Sequence, residues 1–349
     1  MPTTSYGTGS TLCCAASPKP WLLKKSSLHL KRYRITLELK QSESNQMASL
    51  QKHLWQLQHM IETTLWPFPG SSDVALSFRD VFFTTLIFVA FVAILKTAGL
   101  QIAVGALLFA AYTDPAILAF PFNVAQGLVL RTPRFWNMHA VEPRLVPLAS
   151  PDMFQLIRRE VMTIVKDPTV EKPFFADVSP HQRNIASNQP WTVFPFWAYE
   201  TVNHANCARA PRLTNFLKQI PTVRLAMLSI MSKGAHIPTH CGYFKSVLRV
   251  HLTLHTDVQD TFDNPKRFID VGGETYSWAE GELVAFDDTY PHSVTNDVEG
   301  LRVVLFLDVD RPYSSTFAKT CSDLLLKLMR NSPSVRKHAA LQERNHIRS

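Results

Sequence analysis

Three side chains, far apart in the chain, combine into one piece of chemistry. His240 lies in "AHIPTHCGYFKSVLRVHLTLHT", a β-like run that also holds His236, His251 and His255. His292 lies downstream in "FDDTYPHSV", and Arg302 follows ten residues later at the start of "LRVVLFLDV". Two imidazoles at the ends of distant strands can meet and hold Fe(II), leaving the open coordination positions an oxygenase needs. A guanidinium one strand behind the second imidazole can pair bidentately with a dicarboxylate co-substrate. Each element alone is a weak signal in a chain with 13 histidines. The order His, His, Arg is what carries the reading. The residue two after His240 is Gly242, where a mononuclear iron site of the oxygenase type usually has Asp or Glu.

Such side chains need a scaffold of strands. From Val223 onward the chain reads as short alternating or β-rich runs: "RLAMLSIMS", "SVLRVHLTLHT", "RFIDVGG", "ETYSWAEGELVAFDD", "YPHSVTND" and "LRVVLFLDVD". Turn signals separate them at Lys233-Gly234, Gly272-Gly273, Glu280-Gly281 and Glu299-Gly300. Closely spaced short strands with turn chemistry predict a β-sandwich or jelly roll. In the last run, Val303, Leu305 and Leu307 share one face and Val304, Phe306 and Asp308 the other. Ahead of the strands, Asp152 to Asp167 places Phe154, Ile157, Val161, Ile164 and Val165 at helical spacing. A second helix is expected around Arg212 to Ile220.

The other residues that could do chemistry receive structural readings. His236, four before His240, imitates a zinc pair, but in a strand that spacing does not bring both side chains together. His236 is assigned a structural or positioning role and His255 a solvent-facing one. Asp287 and Asp288 are assigned turn and positioning work rather than the missing carboxylate. Trp278 and Gly281 are assigned to the fold. The cysteines, five in all, show no C-x-x-C and no regular spacing, which excludes a structural zinc module and a dense disulfide framework. They are read as ordinary thiols, with a single bridge in an oxidising lumen as the other reading.

Val81 to Tyr112 is an apolar run whose only charge is Lys96. A bilayer core needs about 20 apolar residues in a helix, so the run predicts either one tilted span or a hairpin broken near Lys96-Thr-Ala-Gly. The first 37 residues hold no Asp or Glu and carry several Lys and Arg. They fit an organellar transit peptide or a cytosolic basic arm beside an anchor. Residues 41–70 carry a Gln- and Leu-rich helical pattern without evident chemistry. The net charge of +8 is concentrated at the ends, not in an aromatic-interleaved basic stripe, so nucleic acid is not expected as a partner. No internal repeat, P-loop, G-x-G-x-x-G or G-x-S-x-G is present.

From about Trp191 to Pro312 the sequence resembles the aspartyl/asparaginyl β-hydroxylase family. The resemblance runs in order through "LSIM", "THCG", "LRVHLTL", "WAEGELVAFDDTYPHSV" and "LRVVLFLDVDRP". Family members are Fe(II)- and 2-oxoglutarate-dependent dioxygenases on a double-stranded β-helix, and include bacterial hydroxylases of lipid A acyl chains. The resemblance implies His240 and His292 as iron ligands, with Gly242 marking the place where this family lacks a carboxylate ligand and water can enter. It implies that Arg302 pairs with the distal carboxylate of 2-oxoglutarate and that Ser229 hydrogen-bonds nearby. It further implies that His251 contacts the co-substrate near the metal, and that Arg249 faces the substrate or supports the co-substrate. It implies O2 as the oxidant, with succinate and CO2 as the co-products. The animal protein hydroxylases carry a further arginine two residues before the equivalent of Arg249. Here Val247 stands at that position, and the lipid-type members also lack that arginine.

The chain is thus expected to be mainly β. A double-stranded β-helix (jelly roll, cupin-like) with flanking helices follows an N-terminal transmembrane segment. The expected organisation is a basic, polar leader over 1–79, a transmembrane helix or hairpin over 80–112 and a linker over 113–150. A dioxygenase domain over 151–312 and a C-terminal helix with a basic tail over 313–349 complete it. The function expected is membrane-anchored hydroxylation of a C–H bond in a peptidyl Asp/Asn or a lipid acyl substrate. Partners are the lipid bilayer and that peptide or lipid. The location expected is an endomembrane such as the ER or Golgi, with an organellar membrane as the other reading. Two rival readings remain: a non-catalytic membrane-tethered β-sandwich that binds a ligand, and a cupin-like metal enzyme without 2-oxoglutarate.

Overall fold

The computed structural model describes residues 56, 78–113, 116–129, 133–178, 183–186, 189–199, 201–257, 266–313 and 315–331. The basic leader, the 41–70 pattern apart from residue 56, and the basic tail after 331 lie outside the described residues. Everything described below belongs to the compact unit Gln58–Ser349.

Three apolar helices come first: α1 (Phe78–Ala98), α2 (Leu100–Thr113) and α3 (Ala116–Val129). The break between α1 and α2 falls at Gly99, whose φ of 87° is open to glycine and strained for other residues. The run Val81–Tyr112 is therefore two helices, parted just after Lys96. Arg79–Ala98 is a 20-residue helix long and apolar enough to cross a membrane, and none of its apolar window is covered by the rest of the protein. The segments Leu100–Thr113 and Ile117–Gly127 meet at 96°. Phe88 and Phe109 are 66% and 70% exposed, which leaves these helix surfaces without a protein partner among the described residues.

Helix α4 (Pro151–Lys166) starts as the spacing predicts: Pro151 occupies the first turn, where its missing N–H is harmless, and Asp152 complements the helix dipole. Phe154, Ile157, Val161 and Ile164 are buried, and Val165 is partly so. Helix α5 (Pro211–Lys218) covers the expected second helix, and α6 (Thr316–Asn331) follows the strands.

Eleven strands are seen among the described residues. They are β1 (Phe135–Trp136), β2 (Trp191–Ala198), β3 (Thr201–Val202), β4 (Val223–Met231), β5 (Ala235–His240), β6 (Val247–Thr256), β7 (Arg267–Val271), β8 (Glu274–Ser277), β9 (Leu283–Phe286), β10 (His292–Asn296) and β11 (Arg302–Asp310). They form a seven-stranded sheet, β1-β9-β6-β11-β4-β2-β3, and a four-stranded sheet, β5-β10-β7-β8. From β4 to β11 the chain passes back and forth between the sheets, an order consistent with the expected jelly roll. Gly234, Gly272, Gly273, Gly281 and Gly300, the turn glycines anticipated from the sequence, all have positive φ.

The large sheet separates two cores, because successive side chains point to opposite faces. Leu248, Val250, Leu252 and Leu254 of β6, with Val303, Leu305 and Leu307 of β11, pack beneath α4 and α5. Burying each such aliphatic chain contributes about 1.5–3 kcal/mol. Met227, Met231, Val304, Phe306 and Phe286 face the other way, toward Ile237, Ile269, Val271 and Val294 of the small sheet. By the same alternation Ser229, Arg249, His251, Thr253, Arg302 and Asp308 point into the layer between the sheets.

Candidate functional site

His240 ends β5 and His292 begins β10, and the two are direct partners across that antiparallel pair. Their ring centroids are 4.1 Å apart. The Nδ1–H of His240 donates to the Pro238 carbonyl and that of His292 to the Tyr290 carbonyl, each at 2.9 Å. A carbonyl can only accept, so both Nδ1 atoms carry the hydrogen and both Nε2 atoms keep a free lone pair. Burial holds His292 down at about 4. Burial, and then the neighbouring His292, hold His240 well below the ordinary range. Both rings are thus neutral at neutral pH, the form that binds a metal ion.

His236 is excluded from this pair by a bulge. His292 pairs with His240 but Val294 pairs with Ile237, so β5 has one residue more than β10 over this interval. Ile237 and His240 turn inward and His236 turns out, where its Nε2 lies 2.8 Å from Asp297. His255 differs from the solvent-facing expectation. Its side chain is 16% exposed and its ring nitrogens lie between Glu280 and Asp257, at 3.0 and 2.8 Å.

Arg302 is buried at 1% exposure on β11. Its Nη1 reaches only the Met231 sulfur, at 2.9 Å, its Nε has no hydrogen-bond partner, and its Cζ sits 3.9 Å from the Trp278 ring centroid. Burial, together with the nearby Arg267 charge, lowers it to about 9, which leaves it cationic at neutral pH. No carboxylate answers this guanidinium among the described residues. A buried unpaired cation costs several kcal/mol.

Three more polar groups converge there. The Trp278 indole, which can only donate, lies 3.4 Å from His251 Nδ1. The hydrogen of His251 is therefore on Nε2, which is buried without a partner. Burial and the Arg302 charge keep this ring neutral. The Thr253 hydroxyl is likewise buried and unpartnered. Ser229 accepts from the Trp191 indole at 3.0 Å. Its own hydroxyl hydrogen remains to be given.

Arg249 is arranged differently, held between Asp308 and Asp288 at 3.1 and 3.0 Å. Asp288 in turn lies against Gly242: a Cβ at residue 242 would run into its carboxylate. The Gly242 N–H also donates to the Asp288 carbonyl at 2.6 Å. Asp287 faces away, bound to Arg311 at 2.6 Å and 3.5 Å from Lys245. Cys207 and Cys321 are free thiols. Val247 is buried against Leu326 of α6, with Tyr199 and Phe244 packed alongside.

Trp278, Thr253 and the place of Asp288 beside Gly242 were missed from sequence. Thr253 was within reach, because period-two alternation from Arg249 and His251 lands on it. Trp278 precedes a turn, where an aromatic residue ordinarily serves only the core.

The sequence model of aspartyl/asparaginyl beta-hydroxylases matches residues 152–312. An ornithine lipid ester-linked acyl 2-hydroxylase from Rhizobium tropici is 30% identical over 193 residues, covering 55% of this chain and 67% of its own. The human aspartyl/asparaginyl beta-hydroxylase is 29% identical over 140 residues, which cover 38% of this chain and only 17% of the human protein. Among solved structures, a prolyl hydroxylase from Trichoplax adhaerens covers 52% of this chain and 91% of its own, at 12% identity and a TM-score of 0.35. So low a score carries no argument about function. The family match and the extent of the Rhizobium tropici alignment decide the matter: this chain belongs to the aspartyl/asparaginyl beta-hydroxylase family.

Proposed function

We propose that this protein is a membrane-anchored Fe(II)- and 2-oxoglutarate-dependent dioxygenase that hydroxylates a C–H bond of a lipid acyl chain. The observation that carries the cofactor reading is the unpaired, buried Arg302 in the same inter-sheet layer as two neutral imidazoles with free Nε2 lone pairs. Those residues fit the groups. His240 and His292 would hold the iron, and Arg302 would pair with the distal carboxylate of 2-oxoglutarate. His251 Nε2–H and the hydroxyls of Ser229 and Thr253 would complete its hydrogen bonds. Together with O2, these groups supply the oxidising power for C–H hydroxylation, with succinate and CO2 as co-products.

The chain's own residues orient and exclude. The carbonyls of Pro238 and Tyr290 fix both imidazole tautomers, and second hydrogen bonds of this kind are what set ligand orientation. Trp278 holds Arg302 by its ring face and His251 by its N–H, so the anion-binding donors stand ready before the anion arrives. Phe286 and Phe306 flank His251 with ring centroids 5.1 Å away and keep water from the layer.

Two observations favour an acyl substrate over a peptidyl Asp or Asn. Residue 247 is a valine packed on Leu326, so no cation stands there for an acidic side chain. The apolar helices also reach the loop that follows His240. Anaerobic addition of Fe(II) and 2-oxoglutarate to the purified protein should give a visible metal-to-ligand charge-transfer band. Its absence would leave the non-catalytic β-sandwich reading standing. Lipid mass spectrometry of cells with and without the gene should show a +16 Da acyl product; a hydroxylated peptide instead would move the substrate to protein. An endomembrane such as the ER or Golgi is the location in keeping with this reading.

A further inference from the structure

Helix α1 has a polar root and an apolar shaft. Arg79 and Asp80 are buried, while Phe82, Leu86, Phe88 and Val89 further along are exposed. The root lies against the loop that leaves His240. Arg79 Nη1 donates to the Cys241 carbonyl at 3.0 Å and Nη2 to the Gly242 carbonyl at 2.7 Å. Asp80 orients the guanidinium by accepting from Nε and Nη2 at 3.2 Å. Helix α3 takes the next residues: Asn123 Nδ2 donates to the Tyr243 carbonyl at 3.0 Å, and its Oδ1 accepts from the Lys245 N–H at 3.0 Å. Three successive carbonyls and one amide after a proposed iron ligand are therefore held by side chains of the apolar helices.

The same loop is tied to the arm of the second histidine. Gly242 N–H reaches the Asp288 carbonyl and Lys245 Nζ reaches Thr289 Oγ1 at 2.7 Å, both just ahead of His292. Without Arg79 and Asn123 these carbonyls would lose their side-chain donors, and the loop that leaves β5 would lose its ties to the apolar helices. A surface anchor has no need of such contacts, because any apolar helix on a loose linker would serve.

We infer that Arg79 and Asn123 are positioning residues for His240, so that the apolar helices belong to the catalytic unit and set the geometry of its metal pair. This rests on the iron reading above. Loss of a group that orients a ligand typically weakens metal binding 10–100-fold. The test is anaerobic Fe(II) titration of the full chain in lipid nanodiscs at saturating 2-oxoglutarate, with the charge-transfer band as readout, for wild type, Arg79→Gln, Arg79→Lys and Asn123→Ala. Far-UV circular dichroism and thermal melting report folding.

Arg79→Gln and Asn123→Ala should stay folded, bind Fe(II) 10–100-fold more weakly, and keep the wild-type 2-oxoglutarate KM at saturating iron. Arg79→Lys, which keeps the charge but loses the two-pronged geometry, should fall between. Wild-type Fe(II) affinity in the folded variants overturns the inference and leaves the function intact, as does an equal loss of iron and 2-oxoglutarate affinity, the sign of general loosening. If Arg79→Gln does not fold, Asn123→Ala, which leaves the Arg79 guanidinium and its carbonyl partners in place, decides by the same criteria. A wild-type protein that gives no band with Fe(II) and 2-oxoglutarate overturns the proposed function itself.

Discussion

The carboxylate of Asp288 occupies the space that a side chain at Gly242 would need. A metal-binding carboxylate at residue 242 and the present loop geometry are therefore mutually exclusive. Gly242→Ala should push Asp288 off Arg249, at a cost of about 1–3 kcal/mol for overpacking, and lower turnover. Adding Asp288→Ala should relieve the clash, since Arg249 keeps Asp308. Urea denaturation of both single variants and the double variant should give a favourable coupling of about 0.5–3 kcal/mol. Strict additivity would show that residues 242 and 288 do not touch.

His240→Ala removes one of the two proposed iron ligands, a pair with no third His, Cys, Asp or Glu grouped near it among the described residues. Succinate formation should vanish even with excess Fe(II). Substantial turnover in metal-replete His240→Ala protein would count against the iron assignment.

Arg302 makes an opposite pair of predictions for stability and for co-substrate use. Arg302→Met removes a buried charge that lacks a counter-ion, so the ligand-free protein should melt at a higher temperature than wild type. The same change should raise the 2-oxoglutarate requirement by a factor corresponding to about 2–5 kcal/mol, the usual cost of truncating one side of a buried charge pair. A lower melting temperature with an unchanged 2-oxoglutarate dependence would remove both roles.

Asp287 gives the pH dependence. Burial alone would raise its carboxyl, but Arg311 and Lys245 overcome this and hold it at about 2, below an ordinary 3.8. A depressed acid means the unfolded chain binds the proton more readily. The stabilisation is present above 3.8 and is lost as pH falls toward 2, and for this shift it is about 2 kcal/mol. Asp287→Asn should therefore destabilise at pH 7 by about 3–5 kcal/mol, leaving two buried cations short of a counter-charge. It should also flatten the acid limb of the stability curve. Equal acid sensitivity in the variant and wild type would assign that limb to other groups.

The strands and their turns were readable because each depends on a local rule, whereas His240, His292 and Arg302 stood out only by their order along the chain. Alternation gives the faces of β11, and glycines such as Gly281 and Gly300 mark backbone that must turn with positive φ. What was not readable depends on register between distant segments. The bulge that turns His236 out exists only in the pairing of β5 with β10. For the run Val81–Tyr112 composition left a single span and a break near Lys96-Thr-Ala-Gly both open, and the backbone at Gly99 decides for the break. Arg79 and Asn123 carry no motif, and their partners lie 163 and 120 residues away.

One ring has a practical consequence. Trp278 lies under the Arg302 guanidinium and hydrogen-bonds to His251, so its indole sits in the field of the cation proposed to receive 2-oxoglutarate. Charge neutralisation at Arg302 must shift the emission of that indole. The chain has 7 tryptophans, and subtracting the spectrum of Trp278→Phe from that of wild type isolates this one. On the proposed function, the protein would carry a native optical gauge of 2-oxoglutarate occupancy, usable without O2, substrate or turnover.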